Sequence, residues 1–261
     1  MTNAIVKQET MLPIEASADD LAYIMADFDP SDILIPRILL AQSMSKSVKN
    51  VGARPGDLLN SVELSKLGDE SVPVEFIPIT KFKTWTRFFC PRGAKKFEFQ
   101  DILPMDMGNL SKADLGKQMG EMRGVEMLEG GDKMRWDATL NFYVILTAEF
   151  KAGRFIPYML SCRMTSYYAG KQIVGHFTDL ARMKKMPFAK TLVLKSKPSQ
   201  NKAGDEFSVF SVSSAGRPTT QDEYTEAKLW FDRIRTSSLK VDNSDLEKDT
   251  TVDPSTEDDA F

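Results

Sequence analysis

The stretch Ile79–Phe89, ITKFKTWTRFF, holds the side chains best suited to chemistry on a polymer. Successive side chains of a strand point to opposite faces, so Lys81, Lys83, Trp85, Arg87 and Phe89 share one face and Phe82, Thr84, Thr86 and Phe88 the other. The first face is cationic and aromatic. Cations neutralise phosphates while an indole among them offers a plane on which an unpaired base stacks, so this face is read as a nucleic-acid contact, with Trp85 as its exposed ring. Arg92, Lys95 and Lys96 extend the basic surface beyond it. Arg37, Lys46, Lys49 and Arg54 near the first strands, and Arg135, Tyr143 and Arg163 on later ones, are secondary candidates. Arg135 and Tyr143 fall opposite Trp136, Leu140 and Phe142 by the same alternation. A solvated amphipathic strand is the plainer account of the same residues.

Catalytic constellations are weak. The single histidine, His176, sits beside Phe177 on an expected helix and reads as half-buried packing. Neither a phosphate-cradling glycine loop nor a nucleophile-elbow motif occurs. Cys90 and Cys162 stand far apart and suggest free thiols, and with one histidine they do not make a zinc site. Asp101, Asp106 and Asp137 are scattered, which suits solvated surface better than a magnesium site. No enzyme activity, metal or cofactor is expected; a metal-dependent nuclease is the remote alternative.

The elements that must position these residues are mostly strands. Residues 1–30 read as an arm with a short helix over 18–27, capped by Ser17 and stopped by Pro30. Strands follow from Ile33, with a tight turn at Pro55-Gly56, a long strand over 72–89, and further strands to about residue 165. Pro73 and Pro78 suit a strand start, an edge or a bulge. Between two of the later strands, 107–133 repeats glycine at 116, 120 and 124 and reads as a mobile insertion, because each glycine inside a helix costs about 1 kcal/mol against alanine. Ile173, Phe177 and Leu180 stripe a helix stopped by Pro187; a hairpin follows, and Thr220-Gln-Asp-Glu223 forms the capping box of a last helix that turns Tyr224, Ala227, Phe231 and Ile234 inward. The folded body spans 31–238, and 239–261 has the composition of a disordered tail.

Charge is divided along the chain. The net charge is -3, but residues 241–261 hold eight acids and one base, leaving the body at +4. No apolar run long enough for a membrane span or a signal peptide appears, so a cytoplasmic protein is expected, in the host cytoplasm if viral. The last residues, Glu257, Asp258, Asp259 and Phe261, place one ring beside a carboxylate after a run of acids, which suits a hydrophobic pocket ringed by cations on a partner.

Glu257-Asp-Asp-Ala-Phe261, with the looser match of Lys81-Phe-Lys-Thr-Trp-Thr-Arg87, resembles single-stranded DNA-binding proteins of tailed bacteriophages. IPRILLAQSMS (35–45), GARPGDLLNSVEL and VEFIPI also resemble phage early proteins. The resemblance implies a mainly β fold of α+β type: an OB-fold-like barrel with added helices and a disordered acidic C-terminal tail. It also implies a protein that coats and protects single-stranded DNA with little sequence specificity during replication and recombination. Its tail would recruit a polymerase, helicase or nuclease, and self-association into a homo-oligomer is compatible with it. The alternative is a phage assembly or regulatory protein whose tail docks on a partner without any DNA binding.

Overall fold

The computed structural model describes residues 34–42, 52–94, 97–104, 123–201, 204–236 and 240–241. In chain order these form β1 (Leu34–Ile35), β2 (Ile38–Leu40), β3 (Leu58–Asn60), β4 (Lys66–Gly68), β5 (Val74–Cys90), β6 (Glu98–Pro104), β7 (Arg123–Met127) and β8 (Lys133–Leu146). The chain continues through α1 (Thr147–Lys151), β9 (Tyr158–Arg163), α2 (Tyr167–Arg182), β10 (Leu192–Gln200), β11 (Glu206–Ser213), α3 (Gln221–Thr236) and β12 (Lys240–Val241).

The two longest runs of β-branched and aromatic residues find each other. β5 and β8 pair antiparallel from Phe76↔Leu146 to Cys90↔Lys133, and the other strands attach to this ribbon. At one end β10 joins β5 and β9 joins β8, giving the order β11-β10-β5-β8-β9; at the other end β6 and β7 take those flanks. A three-stranded sheet, β2-β3-β4, and the parallel pair of β1 with β12 complete the strands among the described residues.

The fold is therefore mainly β with a few helices. The expected OB-like barrel is not what the described strands form, because the flanking strands change midway along the ribbon and the sheet branches where a barrel would curl shut.

Alternation along the ribbon builds a core on each face. Phe76, Trp85, Trp136, Leu140, Phe142 and Val144 lie against Ile173 of α2 and against Ile38 and Leu58 of the small sheet. Ile77, Ile79, Tyr143 and Ile145 lie on the other face against Phe188, Ala227 and Trp230, the last two from α3. A bulge between Pro78 and Thr80 shifts the register, and the proline falls where the ladder is already irregular.

The entry of α3 is fixed by charge and by close approach. The capping box forms: Glu223 Oε2 accepts from Thr220 N at 2.8 Å and Glu223 N donates to Thr220 Oγ1 at 3.3 Å. Arg217 donates to both carboxylate oxygens of Glu223 at 2.7 and 2.6 Å and lies 3.5 Å from Glu75 of β5. At this crossing Thr191 N donates to Arg217 O at 2.9 Å and Arg217 N donates to Thr191 Oγ1 at 2.8 Å, and a Cβ on Gly216 would come within 2.0 Å of the Thr191 carbonyl oxygen.

Several expectations are corrected. The run of strands expected to about residue 165 is interrupted: β8 stops at Leu146, where Thr147 opens α1. The end of the glycine-rich tract carries ordered elements that the sequence reading did not expect: 123–133 forms β7 and a turn in which Gly130 and Gly131 hold φ of 86 and 88°. The body continues past 238 to β12, whose Lys240 pairs with Leu34. The arm helix at 18–27, residues 105–122 of the insertion and the tail from 242 lie outside the described residues.

Gly216→Ala should cost about 3 kcal/mol, since the new methyl meets backbone that must move. Gly175→Ala, on the exposed face of α2 with open space around it, should stabilise by about 0.5–1 kcal/mol. Denaturant titration of both variants checks the pair. The hydrogen bonds from Arg217 hold the Glu223 carboxyl below its ordinary value of 4.5. A lowered carboxylate stabilises the fold above its unfolded value and loses that contribution as pH falls through the folded one. Glu223→Gln should therefore be destabilising at neutral pH, with the gap to wild type narrowing as the pH is taken below 4.5.

Candidate functional site

The parity read from the sequence along β5 is present, but its face is turned inward. Lys81, Lys83, Trp85, Arg87 and Phe89 stand opposite Phe142, Leu140, Ala138, Trp136 and Met134, the apolar residues of β8. Trp85 is only 9% exposed and meets Trp136 edge-on at 6.4 Å, so it is a core residue and not an exposed stacking ring. Arg87 is tied through two nitrogens to Asp101 of β6 and lies 5.1 Å over the Trp136 ring. The neighbouring Asp101 carboxylate raises the Arg87 pKa further, which fixes the charge. Phe89 is half-buried.

The opposite face is polar and also covered. Asn141 donates to Thr84 Oγ1 at 2.8 Å, Ser161 donates to Asn141 Oδ1 at 2.7 Å, and the hydroxyls of Thr86 and Thr139 meet at 3.1 Å. These bonds satisfy one another across β5, β8 and β9, as buried polar groups require. Arg135 is buried over Phe88 and Phe97, at 4.4 and 5.1 Å, with Asp137 3.3 Å from its Nε. Arg163 is half-buried over Phe88, and Tyr143 is buried, its pKa raised by desolvation. Of the three acids considered for magnesium, Asp101 and Asp137 thus face arginines, and Asp106 lies outside the described residues.

What reaches solvent is narrower than the expected surface. Lys81, Phe82 and Lys83 are three consecutive exposed residues in the middle of the long strand. They lie where β10 has stopped pairing, at Phe76, and β6 has not begun, at Thr84, so among the described strands none flanks this edge. Phe82 keeps 37% of its surface exposed while its ring rests 5.5 Å from that of Tyr143. The accessible aromatic of the segment is thus Phe82, on the face opposite Trp85 as alternation requires but not the ring that the sequence reading took as exposed.

Arg54 and Arg92 are exposed, the latter with its backbone N bonded to Asp132; Lys95 and Lys96 lie outside the described residues, as do Lys46, Lys49 and the tail residues Glu257, Asp258, Asp259 and Phe261. Arg37 is buried.

A further basic segment escaped the reading by motif. From Leu180 to Gly204 there are seven cations and no acid, and from Phe76 to Phe97 six cations and no acid. The two runs are spatial neighbours, because β10 pairs with the start of β5. A scan for acid-free windows, in place of aromatic-basic alternation, would have found both.

Among the remaining reactive groups, the Cys162 thiol is fully buried and pushed up to about 12, which leaves it inert as a nucleophile. The ring of His176 is half-buried, its pKa lowered by desolvation, with Nε2 3.3 Å from the Pro187 carbonyl. Among the described residues no group of three or more metal-ligating side chains gathers, and no helix is long and apolar enough to cross a membrane.

Burial separates two aromatics that look equivalent in the sequence. Trp85→Ala should cost about 3–5 kcal/mol of stability, whereas Phe82→Ala should cost about 1 kcal/mol or less. Guanidinium denaturation midpoints of the two variants decide it.

No curated protein and no solved structure matches the chain. A family model described as Pam3 phage gp34-like protein matches residues 8–240, which takes in the sheet, both longer helices and the exposed β5 edge and stops where the acidic segment starts. The chain therefore belongs to the Pam3 phage gp34-like family, a family of bacteriophage proteins.

Proposed function

We propose that the protein binds single-stranded DNA at the β5 edge, with little sequence preference and without chemical turnover. The observation that carries the reading is the exposure of Lys81, Phe82 and Lys83 together on a strand otherwise largely buried. A ring edged by two ammonium groups stacks on any base whose face is free while the amines meet the adjoining phosphates. A duplex hides its base faces, which gives the preference for single strands. The excess of cations in residues 1–240 adds a long-range attraction for polyanions. In this reading the acidic tail, with Phe261 at its tip, recruits replication or recombination proteins, and the protein works in the host cytoplasm. The other reading, tail docking on a partner with the basic edge as plain surface, predicts no DNA binding at all.

Anisotropy titrations of labelled single-stranded and duplex oligonucleotides across a salt series test it. Single strands should bind more tightly and weaken as salt rises. Phe82→Ala should lose about 1–3 kcal/mol of affinity, and Lys81→Ala with Lys83→Ala should flatten the salt slope by about 1.4, from two lost phosphate contacts. Equal affinity for single strand and duplex, or none for either, would sink the proposal.

A further inference from the structure

We infer that the C-terminal end of α2 is a second phosphate-contact surface, continuous with the β5 edge, so that a bound strand bends round that edge. The inference rests on the single-strand reading above and names the path the strand takes.

The local geometry sets this helix end apart. Lys185 N donates to Leu180 O and Lys184 N to Ala181 O, both at 2.9 Å, a pattern that needs a left-handed residue just past the helix. Glycine is favoured there, yet the position is Lys184, with φ of 53°. A cation is thus held where the backbone favours no side chain. Arg182, Lys184 and Lys185 are all exposed, and none is in an ion pair among the described residues. Met183, 57% exposed, lies between them. Asp179, exposed, is the acid of α2 itself; β11, packed on it, begins at the exposed Glu206, and α3 carries Asp222, Glu223, Glu226 and Asp232, of which Glu223 holds Arg217 and Asp232 holds Lys228.

Topology brings this cluster to the β5 edge. Phe177 of α2 meets Phe142 at 6.2 Å, and Phe142 is the cross-strand partner of Lys81. Phe188 packs with Ile77 and Ile79 on the opposite face of the sheet. Between Phe177 and Phe188 the chain must pass from one face to the other. Since β10 then joins β5 at Phe76, the crossing goes round the edge that carries Lys81 and Lys83. Cations therefore stand on the edge and on the segment wrapped around it, with the Phe82 ring beside them. A flexible polyanion with one charge per nucleotide can follow that path, and a rigid duplex cannot.

The test titrates the full chain with labelled oligothymidylates of graded length over a salt series. Arg182→Ala with Lys185→Ala should bind the shortest oligomers as wild type does, bind the longer ones more weakly, and lose about 1.4 from the salt slope. Lys184→Gly should lose about 0.7 from the slope while unfolding at a temperature no lower than wild type, since glycine relieves the left-handed backbone. That second variant separates lost charge from lost fold. Unchanged slopes and long-oligomer affinities in both, with Phe82→Ala still impaired, would overturn this inference and leave the single-strand reading standing. A wild-type chain that binds no oligomer would overturn both. Displacement of an acidic peptide from α2, with DNA affinity unaltered by either variant, would assign the helix end to a protein partner and also overturn it.

Discussion

The register of β5 against β8 is the constraint on which the rest of the molecule depends. The ladder runs from Phe76↔Leu146 to Cys90↔Lys133, with the extra residue at the Pro78/Thr80 bulge. Pleating makes that residue decisive, because a shift of one exchanges the two faces for everything downstream. Before the bulge Ile77 faces α3; beyond it Trp85 faces the core that holds Trp136 and Phe142. The same ladder leaves Lys81, Phe82 and Lys83 uncovered, since its flanks are occupied by β10 at one end and β6 at the other with a gap between them.

Relative position was legible in the sequence and absolute position was not. Residues 81, 83, 85, 87 and 89 do share a face, as alternation requires, but which face meets the core is settled by Trp136, Leu140 and Phe142 on a strand over forty residues away. The capping box at Thr220 and Glu223, the stripe of α2 and the turn at Pro55-Gly56 were readable because each is made by residues close in sequence. Arg87–Asp101, Arg217–Glu75 and the pairing of β1 with β12 were not, because nothing local names a partner that folding alone brings near. The same limit explains Trp85: an indole flanked by charges looks exposed until a second tryptophan is placed edge-on to it.

The wrap of the chain around the β5 edge has an electrostatic consequence. It sets two acid-free segments side by side, Phe76–Phe97 and Leu180–Gly204, although the chain as a whole carries a net charge of -3. Like charges gathered this way repel, and at physiological ionic strength the repulsion acts only within about 8 Å. The fold tolerates it because the ammonium groups remain in water, while Phe142 and Phe177 on one side and Phe188 with Ile77 on the other hold the crossing by apolar contact.

The two kinds of cation are used differently, and the difference tells structure from surface. Guanidinium groups carry the internal work: Arg87 on Asp101 and Trp136, Arg135 between aromatic rings and Asp137, and Arg217 bridging Glu223 and Glu75. A planar fork with weak hydration suits those half-buried, two-point contacts, whereas an ammonium is strongly hydrated and resists burial. The exposed edge is instead built mainly from lysines, at 81, 83, 184 and 185, on flexible stems that keep their charge in solvent. An arginine counted as a ligand contact from sequence is thus already engaged in several places. Lysines on a strand edge with a partly exposed phenyl ring between them keep their charge in solvent, and among the described residues no acid pairs with them.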